Sequence, residues 1–520
     1  MSFAKVYSTQ ATLLKGQTVS VEVDLSRGLH AFTIVGLPDK AVEESRDRVS
    51  AAIKNSGFTS PKSKNQKVVI SLAPADLKKE GPVFDMAMAL AYLLAAEEIS
   101  FDPEEKLFIG ELSLDGDIRG VRGILPLVSH AKQCGFKEVY VPKDNVEEGA
   151  LLDGIAVYGV ATLRELIDHL NKKTTEGTSE ETENTSRKLT PQKRTKIVHT
   201  KTNHSIDIGD IRGQETAKRG LLIAASGGHN IALYGPPGTG KTMLARAFAS
   251  ILPPLLFDEA LEVTSIHSVA GTLQEPLITT PPFRSPHHTS SHVSIVGGGT
   301  IPRPGEVTLA HQGVLFLDEF PEFDRRVIES LREPLEEHSI TVARARGTAK
   351  FPARFILVAA MNPCPCGNFG SKKVCTCSPI SFERYKKKLS GPIIDRIDMW
   401  IEVAHIDHDK LSATRGTKES GIFCDLVKKA RVIQRNRFKK SIATTNSDMG
   451  VRDIDTYITL DPAVKQLLLE AARRIDLSPR SYHRVIKLAR TIADLEGKDE
   501  IEETHMLEAL QYRPRTKIFG

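Results

Sequence analysis

"LYGPPGTGKTML", residues 233–244, decides how this chain is read. Gly235, Gly238 and Gly240 let the backbone curl until successive N–H groups point at a single anion, and Lys241 follows the last of them. The spacing G-x-x-x-x-G-K-T sits between a short apolar strand, "IALY" at 231–234, and a helix-forming run, "MLARAFASIL" at 243–252. That strand–loop–helix context separates a phosphate-binding loop from a chance glycine-rich turn. Pro236, Pro237 and Thr239 complete the loop, which is expected to hold the phosphates of a nucleoside triphosphate, with Lys241 on the terminal phosphates and the Thr242 hydroxyl on Mg²⁺.

Working outward, "GVLFLDEF" at 313–320 gives a buried strand ending in two acids. At that position Asp318 is expected to hold the Mg²⁺ and Glu319 to polarise an attacking water. The strand "FILVAAMN" at 355–362 ends in Asn362, whose amide is suited to orienting the same water. Together with "HNIALYG" at 229–235 these are apolar, parallel-type strands separated by helical patterns, the mark of a doubly wound sheet. Beyond about residue 405 strand signals stop, and runs such as "DPAVKQLLLEAARRI" at 461–475 place apolar residues at helical spacing.

The GPPGTGKT loop, the DE pair, the strand-ending Asn and "SGPIIDRIDMW" at 390–400 together resemble an AAA+ ATPase. The resemblance implies that Arg396 is a finger inserted into a neighbouring subunit's nucleotide, and hence a ring, most often of six. A salt bridge from Arg396 to Asp395 or Asp398 is the alternative. In "LSPRSYHRVIKLARTIADLEG" at 477–497, Arg480 matches the family's second sensor arginine, with Arg484 as a rival. Two insertions, 283–313 and 338–355, resemble those of the magnesium-chelatase-like clade. The second alternates with period two through "ITVARA" and returns after Gly347, which predicts a β-hairpin. Arg344 and Arg346 near its tip are candidates for a phosphate backbone, a solvated basic hairpin being the alternative. His287 and His288 are assigned no chemistry.

Before residue 171, strand-like "KVVISLAP" at 67–74 and "KEVYVP" at 137–142 alternate with helical "DMAMALAYLLAAEE" at 85–98. The stretches 77–94 and 108–142 resemble the proteolytic domain of the Lon protease, an α+β fold shared with one ribosomal protein domain. The nucleophile and base positions of that family align with Val83 and Leu125, which can be neither. A silent scaffold is therefore expected. Residues 171–203 are almost wholly polar, with Ile197 and Val198 as the two strong core formers, and read as a linker. The expected organisation is multidomain α/β: a Lon-like domain at 1–170, the linker at 171–203, an AAA+ core at 204–404 and a helical lid at 405–520. This order resembles the ComM or YifB family of competence ATPases, which implies a ring-forming DNA helicase for branch migration during natural transformation.

Composition sets the outer limits. A chain of 520 residues exceeds one core, and 40% hydrophobic with 26% charged residues fits an ordinary globular protein. The most apolar stretch, 84–96, carries Asp85 and is shorter than the roughly 20 residues of a bilayer span. With no secretory pattern at the start, a cytoplasmic protein without membrane contact is expected. The net charge of +5 allows an anionic partner without naming it. "KKARVIQRNRFKK" at 428–440 has seven cations and no acid, suited to DNA phosphates or to a solvated helix face.

Four of the six cysteines, Cys364, Cys366, Cys375 and Cys377, have spacing suited to a structural Zn²⁺, with unliganded thiols as the alternative. Cys134 and Cys424 are expected to be packing residues. Two function classes remain: an ATP-driven DNA motor, or a chelatase-type ATPase that remodels a protein partner. Chelatase subunits generally lack the Lon-like domain, which counts against the second. The intact set of Lys241, Asp318, Glu319 and Arg396 argues against a non-enzymatic regulator.

Overall fold

The computed structural model describes residues 2–171, 188–195, 206–299, 302–344, 347–369, 373–405 and 419–514. Most of the polar stretch 171–203 lies outside these, as does Arg346. The chain forms two compact units, one of Met1–Val198 with Ala260–Ile278 and one of His199–Glu259 with Thr279–Gly520.

The first unit is built on a seven-stranded mixed sheet in the order Ala31–Val35, Gln66–Ala73, Lys15–Arg27, Ser2–Thr12, Lys106–Phe108, Glu138–Pro142 and Ala156–Val160. Its longest pairing is antiparallel, from Ser2 opposite Leu25 to Thr12 opposite Lys15. Period-two alternation turns Val19, Val21, Val23 and Leu25 inward. The helix Asp85–Ala95 is apolar all round and buried at every position but Leu94. The most apolar stretch of the chain is thus a core helix. Among the described residues no helix is long and apolar enough to cross a membrane.

Val83 and Leu125 are both buried, so neither presents a reactive group. The buried Glu148 accepts from the Leu125 N–H and from the Ser268 hydroxyl, the latter carried by the distant segment of the same unit. Burial pushes its carboxyl above the ordinary range, against those hydrogen bonds.

The second unit centres on a five-stranded sheet, ordered Phe283–Arg284, Gly313–Leu317, Phe355–Met361, Ile231–Tyr234 and Met399–Glu402, with every pairing parallel. Its central strands are buried throughout, as near-continuous apolar runs require. After residue 402 the described residues hold no strand. Helices Glu419–Arg437, Val451–Tyr457, Pro462–Arg474, Pro479–Leu495 and Glu503–Gln511 follow instead. Ile401 of the sheet shares one core with Leu221, Val427, Val485 and Ile492, so these helices pack as part of the unit. Residues 338–355 do form the hairpin, Ser339–Arg344 against Gly347–Pro352. One face of it, Ile340, Val342, Ala349 and Phe351, is buried, and Thr341, Ala343, Thr348 and Lys350 are exposed.

Candidate functional site

Because all five strands run the same way, their carboxyl ends lie along one edge, where ligands of such sheets bind. Register places Tyr234 beside Met361 and Leu317 beside Ala359, so Gly235, Asp318 and Asn362 emerge together. The loop turns as its glycines allow, with Gly238 at φ +77° and Gly240 at φ +90°. Helix Lys241–Ser250 starts at the loop's end and aims its first N–H groups back into it.

Lys241 Nζ donates to the carbonyls of Gly235 (2.9 Å) and Pro236 (2.8 Å) and to Asn362 Oδ1 (3.2 Å). Burial lowers its pKa, partly opposed by Asp318. The Thr242 hydroxyl donates to Asp318 Oδ2 at 2.8 Å, so the two groups expected to share Mg²⁺ already meet. The Thr239 hydroxyl closes the turn on the Pro236 carbonyl, and Gly235 N–H donates to Met361 O.

Glu319 stands at φ +51°, a left-handed position that turns its exposed side chain away from the strand. There it meets His288 Nδ1 at 3.1 Å. His288 is thus a member of the site that the sequence reading passed over. Its one signal was position, inside the insertion that leads into the acidic strand.

At the opposite, amino edge lie the predicted arginines. Arg396 is buried; one guanidinium nitrogen donates to Pro392 O and another pairs with Glu336 at 2.7 Å, while Nε has no hydrogen-bond partner. Neither Asp395 nor Asp398 takes it. Arg480, more than half exposed, pairs with the same Glu336 carboxylate at 3.2 Å. Asp398 is held by Arg484, which also donates to Arg396 O. Although burial pushes the Glu336 carboxyl up, Arg396, Arg480 and Arg484 together hold it below its ordinary value. A cavity of about 550 Å³ opens here, lined in part by Glu336, His338, Arg354, Asp398, Arg431 and Arg484. Nothing in the sequence singles out Glu336, one acid among several in "REPLEEH".

The four clustered cysteines come together, their ligand atoms all within 4.8 Å of one another. Separations of 3.4 Å (Cys364 to Cys366), 3.8 Å (Cys364 to Cys375) and 3.6 Å (Cys366 to Cys375) match the roughly 3.8 Å sulfur spacing that tetrahedral Zn–S bonds of about 2.3 Å impose. Backbone N–H groups of Asn368 and Thr376 draw the Cys366 thiol down to about 5, whereas burial pushes Cys364 up.

One expectation needs correcting. Cys134 is exposed, beside His130 and Thr18, and is not a packing residue; Cys424 is half-buried near Leu252. The basic run 428–440 is not one cationic face. Arg431 turns in to the Ala225 carbonyl and Arg437 to Asp494, leaving Lys428, Lys429, Arg435, Lys439 and Lys440 exposed.

The family described as "Magnesium chelatase, subunit ChlI" matches residues 207–411, and its C-terminal counterpart matches 418–513. A third, "Subunit ChlI of Mg-chelatase", matches 21–145, so the first unit does not by itself distinguish the chain from a chelatase subunit. Competence protein ComM of Haemophilus influenzae is 40% identical over 100% of this chain and 99% of its own length. The YifB protein of Escherichia coli is 40% identical over 99% of this chain and 97% of its own. DNA repair protein RadA of Streptococcus pneumoniae is 35% identical over 91 residues, 18% of this chain and 21% of RadA.

Proposed function

On the premise that this chain belongs to the magnesium-chelatase-like family of ComM and YifB, we propose that it is an ATP-driven, ring-forming motor that moves or separates DNA strands during recombination of imported DNA. The coarser part, an ATPase of the chelatase-like AAA+ kind, follows from the family. The observation that supports a ring is the division of labour between the two sheet edges, and the DNA part rests on the likeness to competence protein ComM. Lys241, Thr242, Asp318, Glu319 and Asn362 converge at one, and Arg396 with Arg480 stands at the other.

In this reading the loop backbone, Lys241 and Thr242 bind ATP and Mg²⁺, which neutralises phosphate charge when bound. Glu319 takes a proton from the attacking water, Asn362 orients that water, and His288 holds Glu319 in place. Arg396, unable to reach the nucleotide of its own subunit, stabilises the transition state of a neighbour's in a homo-oligomer, most simply a hexamer. Arg480 assists it as the second sensor. Cys364, Cys366, Cys375 and Cys377 would hold a structural Zn²⁺.

The hairpin 339–352 faces DNA with its Arg344 end, and Lys428, Lys429, Lys439 and Lys440 add cationic surface. The first unit is a Lon-like domain without protease chemistry, joined through 171–203 to an AAA+ core and a lid. The site of action is the cytoplasm.

A protein-remodelling ATPase of the chelatase type is the second reading, favoured by the three family descriptions. One assay separates them: ATP hydrolysis with and without single-stranded and four-way-junction DNA, against Lys241→Ala. Stimulation by DNA that the variant abolishes supports the motor, and hydrolysis indifferent to every DNA sinks it.

A further inference from the structure

The cysteine knuckle is built into the nucleotide site. Strand Phe355–Met361 leaves the sheet at Asn362, whose amide oxygen accepts from Lys241, and two residues later the chain reaches Cys364. Gly367, at φ +78°, lies so close to the phosphate loop that a Cβ there would stand 2.5 Å from Pro237 Cδ. On the far side of the knuckle, helix Pro379–Lys387 starts directly after Cys377 and its cap residue Ser378. From that helix the Tyr385 hydroxyl donates to the Asn362 carbonyl at 3.0 Å. Phe369 packs on Phe382 with ring centroids 4.8 Å apart, tying the two sides together.

The sulfurs are also oriented by the backbone, Cys366 N–H towards Cys377 Sγ at 3.4 Å and Phe369 N–H towards Cys364 Sγ at 3.3 Å. Such bonds stabilise thiolates and fix ligand direction. Four thiolates this close repel one another, and a dication at their centre removes the repulsion. Closed tetrahedral thiolate sites serve structure, with no open position for catalysis.

We propose that Zn²⁺ in this knuckle is a positioning element of the ATP site: the loaded knuckle holds Pro237 against the phosphates and Asn362 against the attacking water, so that metal loading sets ATP affinity and turnover. The inference rests on the ATPase reading and on Zn²⁺ at these four thiols, and goes beyond both by coupling them. Metal binding orders its own loop, and this loop is wedged between two parts of the nucleotide apparatus. The two contacts act on different constants. Pro237 bears on ATP binding and therefore on KM, and Asn362 on the chemical step and therefore on kcat.

The test uses the full chain. Zinc per chain is measured by elemental analysis, and affinity for a fluorescent ATP analogue is read before chelation, after chelation and after Zn²⁺ is returned. One zinc per chain, with at least a tenfold loss of affinity on chelation that Zn²⁺ reverses, is the expected result. Tyr385→Phe leaves all four thiols in place and guards against a Cys375→Ser variant that fails to fold. It should keep its zinc and its melting temperature and lower kcat several-fold with KM unchanged. Bound zinc with nucleotide affinity and Tyr385→Phe kinetics both unaltered overturns the coupling while leaving the metal site standing. Absence of zinc overturns both. Zinc bound without any affinity for the ATP analogue overturns the ATPase reading and this inference with it.

Discussion

The two edges of the parallel sheet carry charges arranged in contrasting ways. At the carboxyl edge every functional group already touches another: Lys241 the loop carbonyls and Asn362, Thr242 Asp318, Glu319 His288. At the amino edge two arginines share one half-exposed carboxylate, Glu336, and a guanidinium nitrogen of Arg396 is left over. The first is a set of groups already brought together within one chain. The second is a pair of cations that share one anion, which is what the proposed finger would look like away from a neighbour's phosphate. A protein divided this way has reason to place one subunit's amino edge against the next subunit's phosphate loop.

The largest test of that contrast is Lys241→Ala, expected to abolish hydrolysis, a loss of at least ~10³-fold at the upper end for one pre-organised transition-state donor, as read by phosphate release. Arg396→Ala should cost ~10³-fold by the same readout, the lower end for an arginine finger. Mixing the two variants sharpens the comparison, because only a finger acting in trans lets a Lys241→Ala subunit rescue its Arg396→Ala neighbour. Failure to rescue would return Arg396 to a structural role.

Loss of His288 should lower turnover several-fold and leave ATP binding alone, measured as kcat against KM. Glu336→Gln should change turnover by only a few-fold, since its pair with the exposed Arg480 is of the surface kind worth ~0.2–1 kcal/mol and Gln can still accept from the buried Arg396, and in the upward direction if the carboxylate restrains the finger. Large loss instead would mean that Glu336 builds the edge and does not latch it.

Acidity gives the smallest effect and separates the edges again. Arg484 and His229 hold the buried Asp398 carboxyl well below the carboxylate range, against burial. Its stabilisation is present above the unfolded value of about 3.9 and is lost as pH falls through the lower folded value. Melting temperature should therefore be insensitive to this group from neutrality down to about pH 4. Lys241, lowered by burial, should make ATP affinity of the free protein fall on the alkaline side sooner than an ordinary lysine would.

What could be read from residues alone follows the same division. A phosphate demands fixed spacing along one stretch of backbone, so the loop, the acidic pair and the strand-ending Asn362 announced themselves. So did the hairpin, whose period-two pattern is local. Glu336, His288 and Tyr385 did not, because each is a common residue type set apart only by one or two contacts with residues distant in sequence.

The basic run is divided between core and solvent for a reason visible in its periodicity. Helix Glu419–Arg437 buries Val427, Ala430 and Gln434, and cations at 431 and 437 fall beside that stripe. Charge counted along a sequence is not charge counted on a face. For the cysteines, spacing suggested a metal, but no spacing rule contained the contact of Gly367 with Pro237.

The first unit is not continuous along the chain: it includes Ala260–Ile278, whose Ser268 hydroxyl reaches Glu148 and accepts from the Gly123 N–H. During synthesis those residues leave the ribosome only after the phosphate loop has been made, so the N-terminal unit gains its last piece late. A fragment ending within 171–203 would lack that piece, with Glu148 deprived of a partner. The polar stretch is therefore a poor place at which to divide the chain, and an exchange of units between relatives would have to carry Ala260–Ile278 with the first.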